Sequence, residues 1–386
     1  MQNTGVRKTP HIVMLGGGSG CRNINLALSR GPSRLTRIVP AWDSGGSSRA
    51  IREALGILAV GDIRQALMTM AHGEKCAGNV IRMCNSRLSE AVGQRQLRME
   101  FEFFADCRHP FLKTQAPSLR NAITRYLDLF SSRLPEDFDL GNGSVGNFIL
   151  AGAYLAHDND VNAAMSRFKD LCGIEGNVWP SSVVNDVHLS AQLSDGRVIT
   201  RQDRITSMPP SEPPTLIDEI WLTRGSDRAA SVEANGPAIG AILEADVILY
   251  GPGSLFSSVL PHLMVEGILD AIRSNARAVK IFVGNITDCA ETRGLTLASQ
   301  LSALLRVAQS RSKDDLLTHI LANRNVFPFT KRVGKFSYLQ VGSLLELCSA
   351  QGISVVSGDF EDLWQRGTRD GDAVALEILK LAEPMC

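Results

Sequence analysis

Residues 11–28 read HIVMLGGGSGCRNINLAL, and this stretch decides the fold. Ile12 to Leu15 is a short apolar run suited to a strand buried on both faces. From Cys21 onward the apolar residues return at helical spacing. Between the two stand Gly16, Gly17, Gly18, Ser19 and Gly20. Glycines in that place serve one of two ends. Either the turn is tight and holds nothing, or the backbone must lie close to a phosphate, since glycine accepts angles and approaches that a side chain forbids. GGGSG is not GxGxxG, and no Gly-Lys-Ser/Thr follows it, so by itself it leaves both readings open.

The same theme recurs along the chain. Leu35–Trp42 is a second strand, followed by Asp43 and the polar, turn-rich Ser44, Gly45, Gly46, Ser47 and Ser48, with a helix expected from about Asp62 to Ala71. Asp246–Tyr250 is another buried strand. Gly251, Pro252, Gly253 and Ser254 follow it and open a helix. Residues 278–283 (AVKIFV) lead into a polar turn from Asn285 to Gly294, then a helix over Thr296–Ser310. Strands alternating with helices imply a parallel sheet. If these four strands are parallel, their four turns converge on one sheet edge, where open α/β sheets receive ligands.

The remaining segments complete an α/β, Rossmann-like, mostly parallel sheet with helices on both faces, read as one domain over 1–386. Residues 73–140 form a helical insertion. GNGSVGN (141–147) opens a further helix at about Val145. Residues 176–224 read as a small antiparallel β subregion that includes NVWPSSV, with Asp195-Gly196 as a hairpin turn. Its SMPPSEPPT loop (207–215) reads as a mobile connection. Residues 313–386 form a C-terminal α/β extension, with strands at 317–323 and 353–360 and a last helix at 371–383.

Composition excludes several classes of function. Lys+Arg and Asp+Glu are both 40, which gives no support to bulk attraction to nucleic acid or membrane surfaces. No apolar run approaches the roughly 18 residues needed to span a bilayer, and the N-terminus lacks a secretory core. The eight cysteines form no CxxC pair, which argues for reduced thiols in a cytoplasmic protein. Cys21 reads as a small core residue beside the glycine turn. The histidines show no ligand spacing, and no GxSxG elbow is present.

Candidate site residues follow from the turns. Backbone N–H groups at Gly16–Gly20 and at Gly251, Gly253 and Ser254 could cradle phosphates. Asp43 and Asp62 beside such a cradle suit Mg²⁺ as metal ligands and so as catalytic residues, though Asp62 behind Gly61 also reads as a helix cap. Ser44, Gly45, Gly46 and Ser47 supply short polar groups, and Arg64 could pair with phosphate oxygens. Ser144, Gly146 and Asn147 sit at a helix start, where Asn147 can bond a base, a ribose or its own backbone. Asn285 begins the fourth turn, and Glu291 reads as a base, a ribose-binding carboxylate or a surface side chain.

Taken together, GGGSG, DSGGSSRAIREALGILAVGDIRQAL, GSVGN and YGPGSLFSSVLPHLMVEGILDAI resemble one superfamily, the 2-phospho-L-lactate transferases (CofD) and the YvcK-like gluconeogenesis factors. The resemblance covers Ile12–Ala71 and Gly141–Leu304 in the same order, and the second motif is closer to the gluconeogenesis-factor branch. It implies a nucleotide site at the strand ends. The transferases move a phospholactyl-type group from a guanosine diphosphate donor to a deazaflavin with Mg²⁺; the gluconeogenesis factors bind a UDP-sugar. By motif, Gly16–Gly20 and Gly251–Ser254 would hold phosphates, and Asp43 and Asp62 match the metal position. Residues 73–140, the 207–215 loop and the tail after Lys313 depart from the pattern. The expected ligand is a nucleotide diphosphate or nucleotide-sugar of GDP or UDP type. The expected role is Mg²⁺-dependent transfer to an acceptor hydroxyl, the alternative a non-catalytic UDP-sugar-binding regulator of carbon or cell-wall metabolism. An NAD(P)-linked oxidoreductase shares the fold class but lacks GxGxxG. No nucleic-acid or membrane partner is expected, and the helical insertion leaves a homodimer open.

Overall fold

A computed structural model describes residues 9–72, 76, 78–225, 227–228, 231–308, 316–324 and 329–383. Cys386, the ends of the expected 73–140 and 313–386 segments, and the end of the 296–310 helix lie outside these residues. The strands in chain order are β1 (His11–Leu15), β2 (Arg34–Val39), β3 (Asn177–Pro180), β4 (Val187–Leu193), β5 (Val198–Thr200), β6 (Ile217–Arg224), β7 (Val247–Tyr250), β8 (Val279–Val283), β9 (His319–Asn323), β10 (Arg332–Val333), β11 (Phe336–Ser337) and β12 (Ser354–Gly358).

Seven of them build one sheet in the order β12-β9-β8-β7-β1-β2-β3, and every neighbouring pair is parallel. Read from β3, the order runs outward from β1 in both directions, so the chain reverses its direction of winding between β1 and β7. This is the switch point where doubly wound sheets open a crevice. Right-handed crossovers then put helices on both faces. Helix Arg22–Arg30 packs against Gly61–Met70 and Gly371–Ala382, and Gly236–Glu244 packs against Ile268–Ser274. Burial on both faces explains the uninterrupted apolar run of β1, whose four residues Ile12 to Leu15 have no solvent exposure.

The helical insertion is present as Gly78–Cys84, Gln94–Ala105, Pro110–Lys113 and Pro117–Arg133. Its core stacks Phe130 on Phe148 of the following helix Val145–Ala156, with ring centroids 4.8 Å apart. Strands β4, β5 and β6 make the expected antiparallel sheet, with Gly196 at positive φ in the hairpin.

Four expectations are corrected. Asn177–Pro180 does not belong to the antiparallel sheet. It pairs parallel with β2 as the edge of the main sheet, because it closes a crossover through helix Val161–Cys172. The polar stretch after Asp43 is not all turn: Gly46–Leu55 is a helix that buries Ser48, Ile51 and Arg52. After Gly253 the chain forms a π-type turn of helix at Leu255–Val259 and then a 3₁₀ segment at Leu260–Met264. Pro261 removes an amide donor there and blocks a continuous α-helix. Finally, the 207–215 loop is docked rather than loose. Arg293 donates to the Met208 carbonyl at 3.3 Å, and Pro214 lies against Gly294.

Candidate functional site

The four turns do meet at one edge, since β1, β2, β7 and β8 are parallel and adjacent. Their glycines have separate duties. Gly16, Gly17 and Gly18 are buried, and only Ser19 and Gly20 are exposed. The carbonyls of Gly16 and Gly17 each accept from Arg37 Nη2 at 2.9 Å. The Gly18 amide donates to Asp62 Oδ1 at 2.8 Å. A Cβ on Gly18 would meet Gln65 at 2.6 Å, so this glycine makes room for the Gly61–Met70 helix. The Ser19 and Gly20 amides have no acceptor among the described residues.

Gly20 also explains how the two glycine turns touch. A Cβ there would stand 2.7 Å from the Gly253 Cα, backbone against backbone. Gly251 and Gly253 both hold positive φ, where a side chain is strained. Asn285 clamps Gly253 from the far side. Its Nδ2 donates to the Gly253 carbonyl at 2.8 Å and its Oδ1 accepts from the Gly253 amide at 3.3 Å.

Between these turns lies a cavity of about 430 Å³. Ser19, Gly20, Gly253, Ser254 and Asn285 line it, together with Asn23 and Arg369. Arg369 immediately precedes the capping Asp370 of the last helix. It is 6% exposed, and neither Nη1 nor Nη2 has a hydrogen-bond partner. Burial pulls its pKa down to about 9, so it is still a cation at neutral pH. A buried, uncompensated guanidinium costs several kcal/mol, and its two Nη atoms lie below the cavity surface.

Asp43 and Asp62 sit beside the first turn, both half-buried. Asp43 Oδ1 accepts from the Gly45 amide at 3.0 Å. Gly61 carries no Cβ where one would lie 2.5 Å from Asp43 Oδ2. Burial raises the pKa of both carboxyls. Asp62 is pushed up to about 7, first by burial and then by the Asp43 charge. Two carboxylates that repel one another, each spending one oxygen on a backbone amide, fit a hard divalent cation that draws its other ligands from phosphate and water. Among the described residues no group of three or more Asp, Glu, His or Cys side chains forms a metal cage.

The other predicted residues fall into different neighbourhoods. Ser44 exchanges hydrogen bonds with Asp203, its Oγ donating at 3.0 Å and accepting from the Asp203 amide at 3.0 Å. Gly46 is exposed. Ser47 Oγ accepts from Asn147 Nδ2 at 3.0 Å and from the Ser144 amide at 3.3 Å, while Arg64 Nε donates to Asn147 Oδ1 at 2.9 Å. This network ties the Asp43 turn to the helix Val145–Ala156. Gly146 serves packing, since a Cβ would strike the Cys84 carbonyl. Glu291 lies beneath the second turn, 3% exposed. It accepts from the Phe256 and Ser257 amides at 3.0 Å each and from the Ser257 hydroxyl. Burial pushes it up to about 7. Cys21 is a core residue: its thiol donates to the Pro252 carbonyl at 3.0 Å, and burial raises its pKa.

Two functional candidates escape a reading of the sequence. Arg37 had one signal, a charged residue in an otherwise apolar central strand. Arg369 had none, because only the tertiary fold brings residue 369 to the first turn.

Comparison with known proteins agrees with this architecture. The model of the family described as 2-phospho-L-lactate transferase CofD matches residues 12–360, more of the chain than the motifs alone indicate. A putative gluconeogenesis factor of Lactococcus lactis is 27% identical over 377 residues, 97% of each chain. A gluconeogenesis factor of Halalkalibacterium halodurans is 28% identical over 313 residues, covering 81% of this chain and 78% of that one. A putative gluconeogenesis factor of Nostoc is longer, and the match spans 55% of it. A crystal structure of a Bacillus halodurans protein superposes with a TM-score of 0.73 at 23% identity, over 96% of this chain and 99% of that one. No helix among the described residues is long and apolar enough to cross a membrane.

Proposed function

The chain belongs to the CofD family, and on that premise we propose that its crevice binds a nucleoside diphosphate, free or as a GDP- or UDP-linked donor, and transfers a phosphate-containing group to an acceptor hydroxyl. The observation that carries this reading is the pair of Ser19 and Gly20 amides, without an acceptor among the described residues, in the wall of a cavity shared by both glycine turns. Arg369 stands in the same wall, and its charge favours an anion there by Coulomb attraction, its unpartnered Nη atoms lying below the cavity surface. Amides already held in place favour an anion without moving.

Asp43 and Asp62 would hold Mg²⁺. When bound, that ion supplies neutralisation of charge on the bridging phosphate. The chain's own part is positioning. Arg37 holds the first turn by its Gly16 and Gly17 carbonyls. Asn285 locks Gly253. Asp62, near pKa 7, can hold a proton when no cation is present. Charge development on a transferring phosphoryl-type group is stabilised by such prepaid geometry.

The second reading is a regulator that binds a UDP-sugar without turnover. It is favoured by the names of the relatives that match over most of their length. Calorimetric titration of GDP and UDP, each with and without Mg²⁺, tests the shared claim. Binding that strengthens with Mg²⁺ is expected. Absence of binding by either nucleotide overturns both readings. Release of free nucleotide from a linked donor on adding acceptor separates transferase from regulator.

A further inference from the structure

A second cavity, about 480 Å³, adjoins the first. The two share Asn23, Gln365 and Arg369 in their walls. At the rim of the second stands Trp364, 97% exposed, beside Leu363 at 59%. An indole left wholly in solvent is unusual beside a concave surface, and Trp364 is held there by its backbone. Its amide and that of Gln365 donate to Asp362 Oδ1 at 2.8 and 3.0 Å. That turn presents the ring and leaves the second oxygen of Asp362 free. Asp372, also in the wall, has no hydrogen bond or ion pair among the described residues. The cavity therefore offers a flat aromatic face and carboxylates able to accept from N–H groups.

We infer that this second cavity is the base subsite: the nucleobase of a ligand whose diphosphate sits at Arg369 stacks on Trp364 and turns its N–H edge to Asp362 and Asp372. The inference rests on the diphosphate reading above and adds what recognises the rest of the ligand. Arg369 is the hinge between the two sites, since it lines both. Carboxylate acceptors favour a base with adjacent N–H donors, as guanine presents, over uracil with one. Stacking itself accepts either base, because every base has a π face.

The test uses the full-length chain and three probes: inorganic pyrophosphate, GDP and UDP. Affinities are measured by calorimetry for wild type, Trp364→Ala, Trp364→Phe and Asp372→Asn. Substitution of so exposed a side chain leaves folding within about 0.5 kcal/mol. Trp364→Ala is expected to weaken GDP and UDP about tenfold, the range that loss of one base–aromatic stack produces, with pyrophosphate unchanged. Trp364→Phe restores most of the loss, and Asp372→Asn weakens GDP more than UDP. If pyrophosphate binds wild type and Trp364→Ala leaves both nucleotides within twofold, the base subsite is wrong and the diphosphate reading stands. If neither pyrophosphate nor nucleotide binds wild type, the diphosphate reading fails and takes the base subsite with it.

Discussion

The two glycine turns look alike in the sequence and differ in what their amides do. In the first, after β1, Asp62 takes the Gly18 amide, but Ser19 and Gly20 keep theirs free at the cavity. In the second, after β7, the protein supplies its own acceptors. Glu291 takes the Phe256 and Ser257 amides, and Asn285 takes that of Gly253. A helix start is an anion site only while its N–H groups are unclaimed. On the proposed reading the second turn is thus a wall, stiffened from below, and the first turn with Arg369 the receptor. A glycine-rich motif does not distinguish the two, because the claimant lies 38 residues beyond Gly253 in one case and 44 beyond Gly18 in the other.

Substitutions can break or sharpen this contrast. The largest effect is expected for Gly20→Val, whose Cβ meets the Gly253 backbone. Nucleotide affinity should fall at least 100-fold, about 2.7 kcal/mol, in calorimetry, whereas Gly78→Ala, with nothing within 4 Å, leaves it unchanged. Retained binding in Gly20→Val would show that the turns need not touch. Arg369→Met should weaken pyrophosphate by about 2–3 kcal/mol, yet raise the melting temperature of the free protein by removing an unpaired buried charge. Opposite signs in the two assays mark a receptor; a melting temperature that falls would mark a structural arginine.

The wall is probed by pH. Glu291 has a folded pKa near 7, above its ordinary 4.5, so the folded state holds the proton longer than the unfolded one. Its contribution to stability is greatest below pH 4.5, declines as pH rises between 4.5 and 7, and is least above 7. The span is on the order of 3 kcal/mol. Denaturant unfolding of Glu291→Gln should lose that part of the slope between about pH 4.5 and 7; an unchanged slope would move Glu291 out of its buried role. The smallest effect concerns the metal. Mg²⁺ should stabilise the wild type at pH 8 by about 1 kcal/mol, as expected when the ion exceeds its Kd several-fold, and leave Asp43→Asn unmoved. An equal Mg²⁺ shift in Asp43→Asn would remove the proposed ligand.

These contrasts bear on what a sequence can disclose. Strands β1, β2, β7, β8, β9 and β12 were legible because short apolar runs bounded by glycine carry their own signal, and the convergence of four turns followed from parallelism alone. Asn177–Pro180 was not legible, because its partner is β2, distant in the chain. Among site residues, local chemistry flagged Asp43, Asp62, Ser19, Gly20, Gly253 and Asn285. It could not tell them from Gly146, which lacks a side chain only so that two helices may approach. Arg369 needed the fold itself, since nothing near residue 369 announces a neighbour at residue 20.

That distance has a topological consequence. Gly20 and Arg369 stand 349 positions apart and meet because helix Gly371–Ala382 packs onto Arg22–Arg30. A cut between that helix and β12 would leave β1, β2 and β7 paired with one another while loosening the proposed crevice from its cation.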